Sequence, residues 1–324
     1  MIHSCYMAIL AYNLSSKLKD NLQKIEVLRR QILLLPIPPK TALRLRWEAS
    51  LQRTYWSLVL AGNPLSKAGI IKLLSTQSKK RLTSEQKEVI NYKKTLDFIR
   101  EEWLISSRAV SLTTIKKLYD LACKPTLGTS TRAASANQKK LQPFIDYLQA
   151  GKESPIIQAG IAQISIINAD AFGEGNGSIA RLVPYLYLYK HGYDFRGLLV
   201  LDEYIRKDLY SLKEAIESVS KNKHLTLWLE YFTQGILTQL RSAYKIASSS
   251  KFQTDLPAAF WKLNDRQIDI LNSLEQPGAK ITNMKVQGKY KVSQITASRD
   301  LSKLVKLGLL FSHGKGRSAH YTKV

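Results

Sequence analysis

The run DAFGEGNGSIAR, from Asp170 to Arg181, places three glycines in alternation with Glu174 and Asn176 between two apolar helical stretches. A short glycine loop leading into a helix can aim several backbone amides at one point, and the positive end of the helix dipole favours an anion there. Phosphate is the natural candidate. On this reading Gly175 and Gly177 supply positive φ, and Asn176 offers a hydrogen bond to a phosphate oxygen. Glu174 is a ligand for Mg2+, and Arg181, one turn into the following helix, reaches back to the charge. Glycine loops also serve as plain turns, so the composition alone leaves both readings open.

The elements that must position this loop are helical. SSKLKDNLQKIEVLRRQILLL spaces Leu18, Leu22, Ile25 and Leu28 by three and four, then stops at PIPP. TALRLRWEASLQRTYWSLVLAG predicts a second long helix ending at Gly62-Asn63-Pro64. SKAGIIKLLS, TSEQKEVINYKKTLDFIREEW and SLTTIKKLYDLAC each open on a Ser or Thr able to cap the first free amides. QKKLQPFIDYLQ, PIIQAGIAQISIIN and SIARLVPYLYLYKHG bracket the loop, and single helices are expected over LDEYIRKDLYSLKEAIESV and LTLWLEYFTQGILTQLRSAYKIA.

In residue order, the loop and its flanks resemble the signature of the Fic (Fido) family, H-x-F-x-[D/E]-G-N-G-R-x-x-R. Phe172, Glu174, Gly175, Asn176, Gly177 and Arg181 match it position for position. SPIIQAGIAQISIINADAF is similar to the family's apolar helix before the loop, and ARLVPYLYLYKHGYDFRGLL to the family's segment after it. The resemblance spans roughly residues 15–245. It implies a fold of packed helices and transfer of AMP from Mg2+-bound ATP to a hydroxyl side chain of a target protein. It also implies roles: a base at position 170, a metal-holding acid at Glu174, and phosphate binding by Gly175, Asn176, Gly177, Ser178 and Arg181.

Several positions depart from that pattern. Asp170 stands in place of the histidine base, and a carboxylate of ordinary pKa near ~4 accepts a proton poorly at neutral pH. Ser178 stands in place of the first arginine, which forfeits a charge-assisted phosphate contact worth roughly 1.5–3 kcal/mol. Ser57, Ala61 and Gly62 occupy the end of the family's inhibitory helix, with Ala61 where that helix carries its glutamate. The flap that docks the target segment, KPTLGTSTRAASANQKKLQ, is shorter than usual and lacks strand alternation. These departures favour lost or strongly weakened AMP transfer, with ATP and Mg2+ held weakly. One alternative is an active transferase that uses Asp170 as base and is released from inhibition by Ala61; another is a purely DNA- or protein-binding regulator.

From Leu263 the pattern changes. LNDRQIDILNSLEQ reads as a helix with Ile268, Leu271 and Leu274 inward. ITNMKVQGKYKVSQITASRDLSKLVKLGLL reads as helix, turn, helix, with Ala297, Leu301, Leu304 and Val305 as the buried stripe. Two short strands come next, around Gly314-Lys315-Gly316. The order is similar to winged helix-turn-helix modules. In such a module Ser293, Gln294, Thr296, Arg299 and Lys303 would face the major groove, with Lys315, Arg317 and His320 on the wing. A winged helix used for protein contacts remains the alternative.

The resulting fold class is mainly α, a Fic-type helical domain followed by a small α+β module. The expected boundaries are a helical region at 1–45, the Fic domain at 46–250 and the winged helix at 263–324. A net charge of +24 favours polyanionic partners but also fits a strongly basic, merely solvated surface. Residues 263–324 hold 11 Lys+Arg against 4 Asp+Glu, a net of +7, so the module does not own the charge. Only Cys5 and Cys123 are present, which suits a reducing compartment and argues against disulfides or a zinc site. No apolar run nears the ~20 residues of a membrane span, and the opening MIHSCYMAILAYNL has no basic leader, so a cytoplasmic location is expected. The partners implied are a nucleotide, a target protein and double-stranded DNA, with no membrane. A homodimer is left open.

Overall fold

The computed structural model describes residues 11–75, 81–127, 138–151, 153–249, 263–274, 279–307, 309–314 and 319–323. The chain forms two compact units, one of Met1–Ile37 with Glu48–Gln253 and one of Pro38–Trp47 with Thr254–Val324.

The first unit is built on a buried helix pair. α8 (Pro155–Ala169) starts with Ser154 capping the amide of Ile157 at 3.3 Å, with proline at its first position. Every α8 residue from Ile156 to Ile166 is buried, and α9 (Asn176–Lys190) is buried from Ser178 through Tyr189 apart from Arg181. Such all-round apolar helices can only sit at the centre of a domain. The helical shell around them includes α4 (Ser84–Trp103), α5 (Leu112–Ala122) and α12 (Thr226–Ser248), with α1 (Ser16–Leu34) packed against α12. Gly160 sets the approach of α12 to α8. A Cβ there would lie 2.9 Å from both Leu229 and Phe232, and Trp228 donates to the Gly160 carbonyl at 2.8 Å.

The remaining helices of this unit follow the expected periodicity, with one break. α1 buries Leu18, Asn21, Ile25 and Ile32. Capping boxes at Thr83 and Ser111 open α4 and α5. α2 (Pro39–Leu60), which belongs to this unit from Glu48 onward, runs to the turn at Gly62, and α3 (Lys67–Ser75) comes after it. The single helix expected over LDEYIRKDLYSLKEAIESV is two, α10 (Leu201–Lys207) and α11 (Leu209–Asn222). Asp208 between them has φ −136°, and its carboxylate caps the Ser211 amide at 3.0 Å, so a side chain competes with the backbone for the helix and wins locally. α6 (Lys124–Leu127) and α7 (Gln142–Gln149) complete the unit. Most of the expected flap, residues 128–137, lies outside the described residues.

In the second unit, α13 (Asp265–Asn272) opens on an Asn264–Gln267 capping box. After it come β1 (Ile281–Thr282), α14 (Asn283–Tyr290), α15 (Gln294–Lys306), β2 (Leu310–His313) and β3 (His320–Lys323). The sheet is antiparallel in the order β1-β3-β2, with Ile281 opposite Tyr321 and Leu310 opposite Lys323. Its core joins Ile270, Leu271, Leu274, Ile281, Val286, Ala297, Leu301, Leu304 and Leu310, with Val305 packed beside it. The stripe expected on α13 is shifted. Ile268 is 43% exposed and Ile270 is buried, because Gln267 rather than Ile268 turns inward to donate to Asp300 at 2.6 Å. No helix among the described residues is long and apolar enough to cross a membrane.

Candidate functional site

The glycine loop closes the short gap between α8 and α9. α8 ends on Asp170 in the left-handed region at φ 43°, and the chain then turns through Gly173 at φ 55° into a single 3-10 turn, Gly173–Gly175. Positive φ was expected at Gly175 and Gly177. Gly175 instead has φ −80°, and Gly177 is likewise absent from the left-handed region. Closeness, not φ, makes Gly175 a glycine. A Cβ there would stand 2.7 Å from the Tyr119 ring and 3.1 Å from the Cys123 sulfur. Below it Phe172 is buried and stacks on Tyr119 with centroids 5.5 Å apart. Burial pushes the Cys123 thiol up to about 12, so this is a packing cysteine and not a nucleophile.

The side chains around this floor divide into an outer and an inner set. Asp170 and Glu174 are exposed carboxylates at the mouth of the loop, where Gly177 is exposed too. Asn176 is buried. Its amide nitrogen donates to the Ile166 carbonyl at 3.0 Å and ties the loop to the last turn of α8, while its Oδ1 is buried without a partner. No side chain caps the α9 N-terminus. The first-turn amides of Asn176, Gly177 and Ser178 have no intrahelical carbonyl to meet in α geometry, and that of Asn176 turns back to Gly173.

Arg181 joins the two sets. Its Nη1 lies 3.0 Å from where a Cβ on Gly177 would stand, and its Nη2 donates to Ser178 Oγ at 3.3 Å. Its Nε donates to Ser57 Oγ at 2.7 Å and lies 3.9 Å from Asp202 Oδ1. The guanidinium therefore has an inner edge held by the protein and a fork laid across the start of α9. Of the α2 positions singled out, Ser57 touches Arg181, whereas Ala61 is exposed and Gly62 turns the chain out at φ 81°.

Asp202 was not among the sequence candidates. It is 1% exposed at the start of α10, and Tyr185 donates to its Oδ2 at 2.8 Å while the Leu201 amide donates to the Tyr185 oxygen at 3.0 Å. Burial raises its carboxyl to about 6, against the opposing pull of Arg181, the Tyr185 hydroxyl, its own amide and Arg53. Arg53 is itself buried, donating to Tyr189 Oη at 3.0 Å and to the Gly197 carbonyl at 2.6 Å. Burial raises the hydroxyl of Tyr92 on α4, which senses Asp202, Arg181 and Ser57 but makes no hydrogen bond of good geometry. The one trace in the sequence is an acid placed directly behind the apolar run LLVL.

Among the described residues no group of three or more His, Cys, Asp or Glu stands together, so Mg2+ here would need phosphate and water beside Glu174. Glu174 is exposed beside the uncapped α9 N-terminus, and Mg2+ needs only one or two carboxylates when phosphate and water supply the rest. When bound, the ion would neutralise phosphate charge; Arg181 and the α9 amides would orient the phosphate itself.

In the second unit, Gln294, Ile295, Ser298 and Arg299 are exposed on the first turns of α15, with Thr296 and Lys303 half-buried. Ser293 is the N-cap of α15, with its oxygen accepting from the Thr296 amide at 3.2 Å. His320 lies in β3 with its ring stacked on His313, centroids 5.0 Å apart. Lys315 and Arg317 fall outside the described residues.

No family model matches the chain, and no curated protein does. Solved structures do. The chain is similar to a Fic family protein from Desulfovibrio desulfuricans G20 (16% identity, 97% of each chain covered, TM-score 0.60). It is also similar to a fragment of Fic-1 from C. elegans (20% identity, 71% of each chain, TM-score 0.57). A third likeness is to a Fic domain-containing signaling protein from Bacteroides thetaiotaomicron VPI-5482 (19% identity, 74% of this chain and 100% of the other, TM-score 0.57). At these identities the likeness establishes the fold: the chain has the fold of Fic family proteins.

Proposed function

We propose that this Fic-fold chain is a nucleotide-phosphate-binding protein related to protein AMP-transferases whose transfer step is lost or strongly weakened. The observation that carries the reading is the Arg181 fork lying over Gly177 and Ser178 at an uncapped helix N-terminus, with Glu174 exposed beside it. Those groups suit an anion and a metal ion. The residues that would have to move a proton suit it less. Asp170 places a negative charge at the mouth of the loop, where it repels a triphosphate, and Ser178 offers only a neutral hydroxyl, accepting from Arg181, in place of a second guanidinium.

The chain's own residues divide the remaining work. Arg181 and the α9 amides bind and orient phosphate, and Asn176 locks the loop to α8. Phe172, Tyr119 and Cys123 form the apolar floor that excludes water from below. The C-terminal unit has the helix order and antiparallel sheet suited to a winged helix that binds double-stranded DNA, with Gln294 and Arg299 exposed where base edges would be met.

Incubating the full chain with labelled ATP, Mg2+ and cell lysate tests the transfer reading, and calorimetry with Mg-ATP tests the binding reading. The expected result is millimolar or tighter binding without label transfer. Robust AMP transfer sinks the impaired-enzyme reading, and no binding at millimolar nucleotide makes the loop purely structural.

A further inference from the structure

The Arg181 guanidinium has to serve two negative groups. One is the buried Asp202 carboxylate on its Nε side, and the other is whatever oxyanion meets the Nη fork above Gly177 and Ser178. We propose that binding of a divalent oxyanion at this fork draws a proton from solvent onto Asp202, so that the site is proton-coupled. The inference rests on the anion-binding reading above and adds the group that regulates it.

The geometry supports the coupling in three ways. Asp202 is held rigidly, with Oδ2 accepting from Tyr185, so it cannot swing away from a newly bound anion. Its Oδ1 is buried and accepts no hydrogen bond, which leaves one oxygen placed to take the proton. At 1% exposure no solvent screens it from a charge on the far side of the same guanidinium. Ser57 holds the Nε edge whether Asp202 is charged or neutral, so protonation need not release the fork.

The other groups that sense Asp202 do not titrate near neutrality. Besides Arg181, these are Tyr185 from α9, Arg53 from α2 and Tyr92 from α4; burial moves both tyrosines upward, away from neutral pH. α12 meets α10 at Gly235, beside Leu201 and Tyr204, and brings no charge at that contact. The acids at the loop mouth, Asp170 and Glu174, are exposed and screened by water. Asp202, lifted to about 6 by burial, is the group positioned to exchange a proton there.

Linkage fixes the sign. An anion on the fork repels ionised Asp202 and raises its affinity for a proton, so by reciprocity the anion binds more tightly as pH falls. The probe is inorganic sulfate, which does not itself take up a proton in this range. Carboxyl carbon resonances of the full chain, labelled at aspartate, are followed from about pH 5 to 8 with and without saturating sulfate. Backbone amides of Gly177 and Ser178 are followed in the same samples.

The expected result is an Asp202 midpoint about one unit higher with sulfate, equivalent to roughly tenfold tighter sulfate binding at the acid end. Asp202→Asn, if folded, should bind sulfate with a flat pH profile; the wild-type titration needs no variant and decides the matter if it is not. Sulfate that moves the Gly177 and Ser178 amides but leaves the Asp202 midpoint unchanged overturns the coupling and leaves the anion site standing. Sulfate and Mg-ATP that move neither amide overturn both.

Discussion

Replacing Gly175 by alanine asks whether the loop is held by close packing or by turn geometry. The backbone at Gly175, φ −80° and ψ −8°, suits alanine well, so conformation alone would make the change neutral or stabilising by about 0.5–1 kcal/mol. The new methyl, however, would stand 2.7 Å from Tyr119 Cε2 and 3.1 Å from both Tyr119 Cδ2 and the Cys123 sulfur. Carbon–carbon contacts are optimal at roughly 3.5–4.0 Å, so the ring must retreat by several tenths of an ångström. Tyr119 has little room for that, because it stacks on Phe172, which is 1% exposed. Overpacking of this kind costs about 1–3 kcal/mol, leaving a net loss of about 1–2 kcal/mol and a Tm lower by roughly 2–6 °C. Gly177→Ala is the control. Its methyl would meet only Arg181 Nη1 at 3.0 Å, the far end of a flexible side chain. Stability should then change by less than about 0.5 kcal/mol, while anion binding weakens as the fork is displaced. Thermal melts by far-UV circular dichroism compare the two variants. The reasoning fails if Gly175→Ala melts with the wild type or if Gly177→Ala is the more damaging change.

Arg181→Ala should weaken Mg-ATP binding by about tenfold or more, from loss of one charged contact near 1.5 kcal/mol, measured by calorimetry. Asp170→His alone should restore little AMP transfer, and Asp170→His with Ser178→Arg should restore more, read as label on a target protein. Because the folded-state pKa of Asp202 is raised to about 6 above its ordinary value, the group contributes stability below about pH 4 that is lost as pH rises through about 6. Asp202→Asn should remove that loss, roughly 3 kcal/mol over the full range as an upper bound, of which about 1.4 kcal/mol falls between pH 5 and pH 8, where denaturant titrations compare the two proteins. If the C-terminal unit neutralises about four phosphates, log affinity for a DNA duplex should fall against log salt with a slope near −3.6. Arg299→Ala should then cost roughly 1–3 kcal/mol and relax sequence preference, checked by fluorescence anisotropy with the full chain.

Local chemistry made much of this protein legible from its residues alone. The 3.6-residue spacing of apolar positions marks α1, α4 and α5, and Thr83 and Ser111 cap their helices as short-range hydrogen bonding requires. The order of residues from Phe172 to Arg181 is likewise readable, because a loop joining two adjacent helices concentrates its chemistry in consecutive positions. Contacts between residues far apart in the chain decided the rest. Tyr119 and Cys123, some fifty positions upstream, make Gly175 a residue of close approach and leave the left-handed turn to Asp170 and Gly173. Asp300, 33 positions downstream, pulls Gln267 inward and turns Ile268 out to solvent. Ser57, 124 residues before Arg181, and Asp202, which lies beyond it on another helix, set the inner edge of the guanidinium. Periodicity reports which face of a helix is apolar. Which buried charge meets which is fixed only when the helices pack, since the cost of an unpaired charge is felt only after water has been removed.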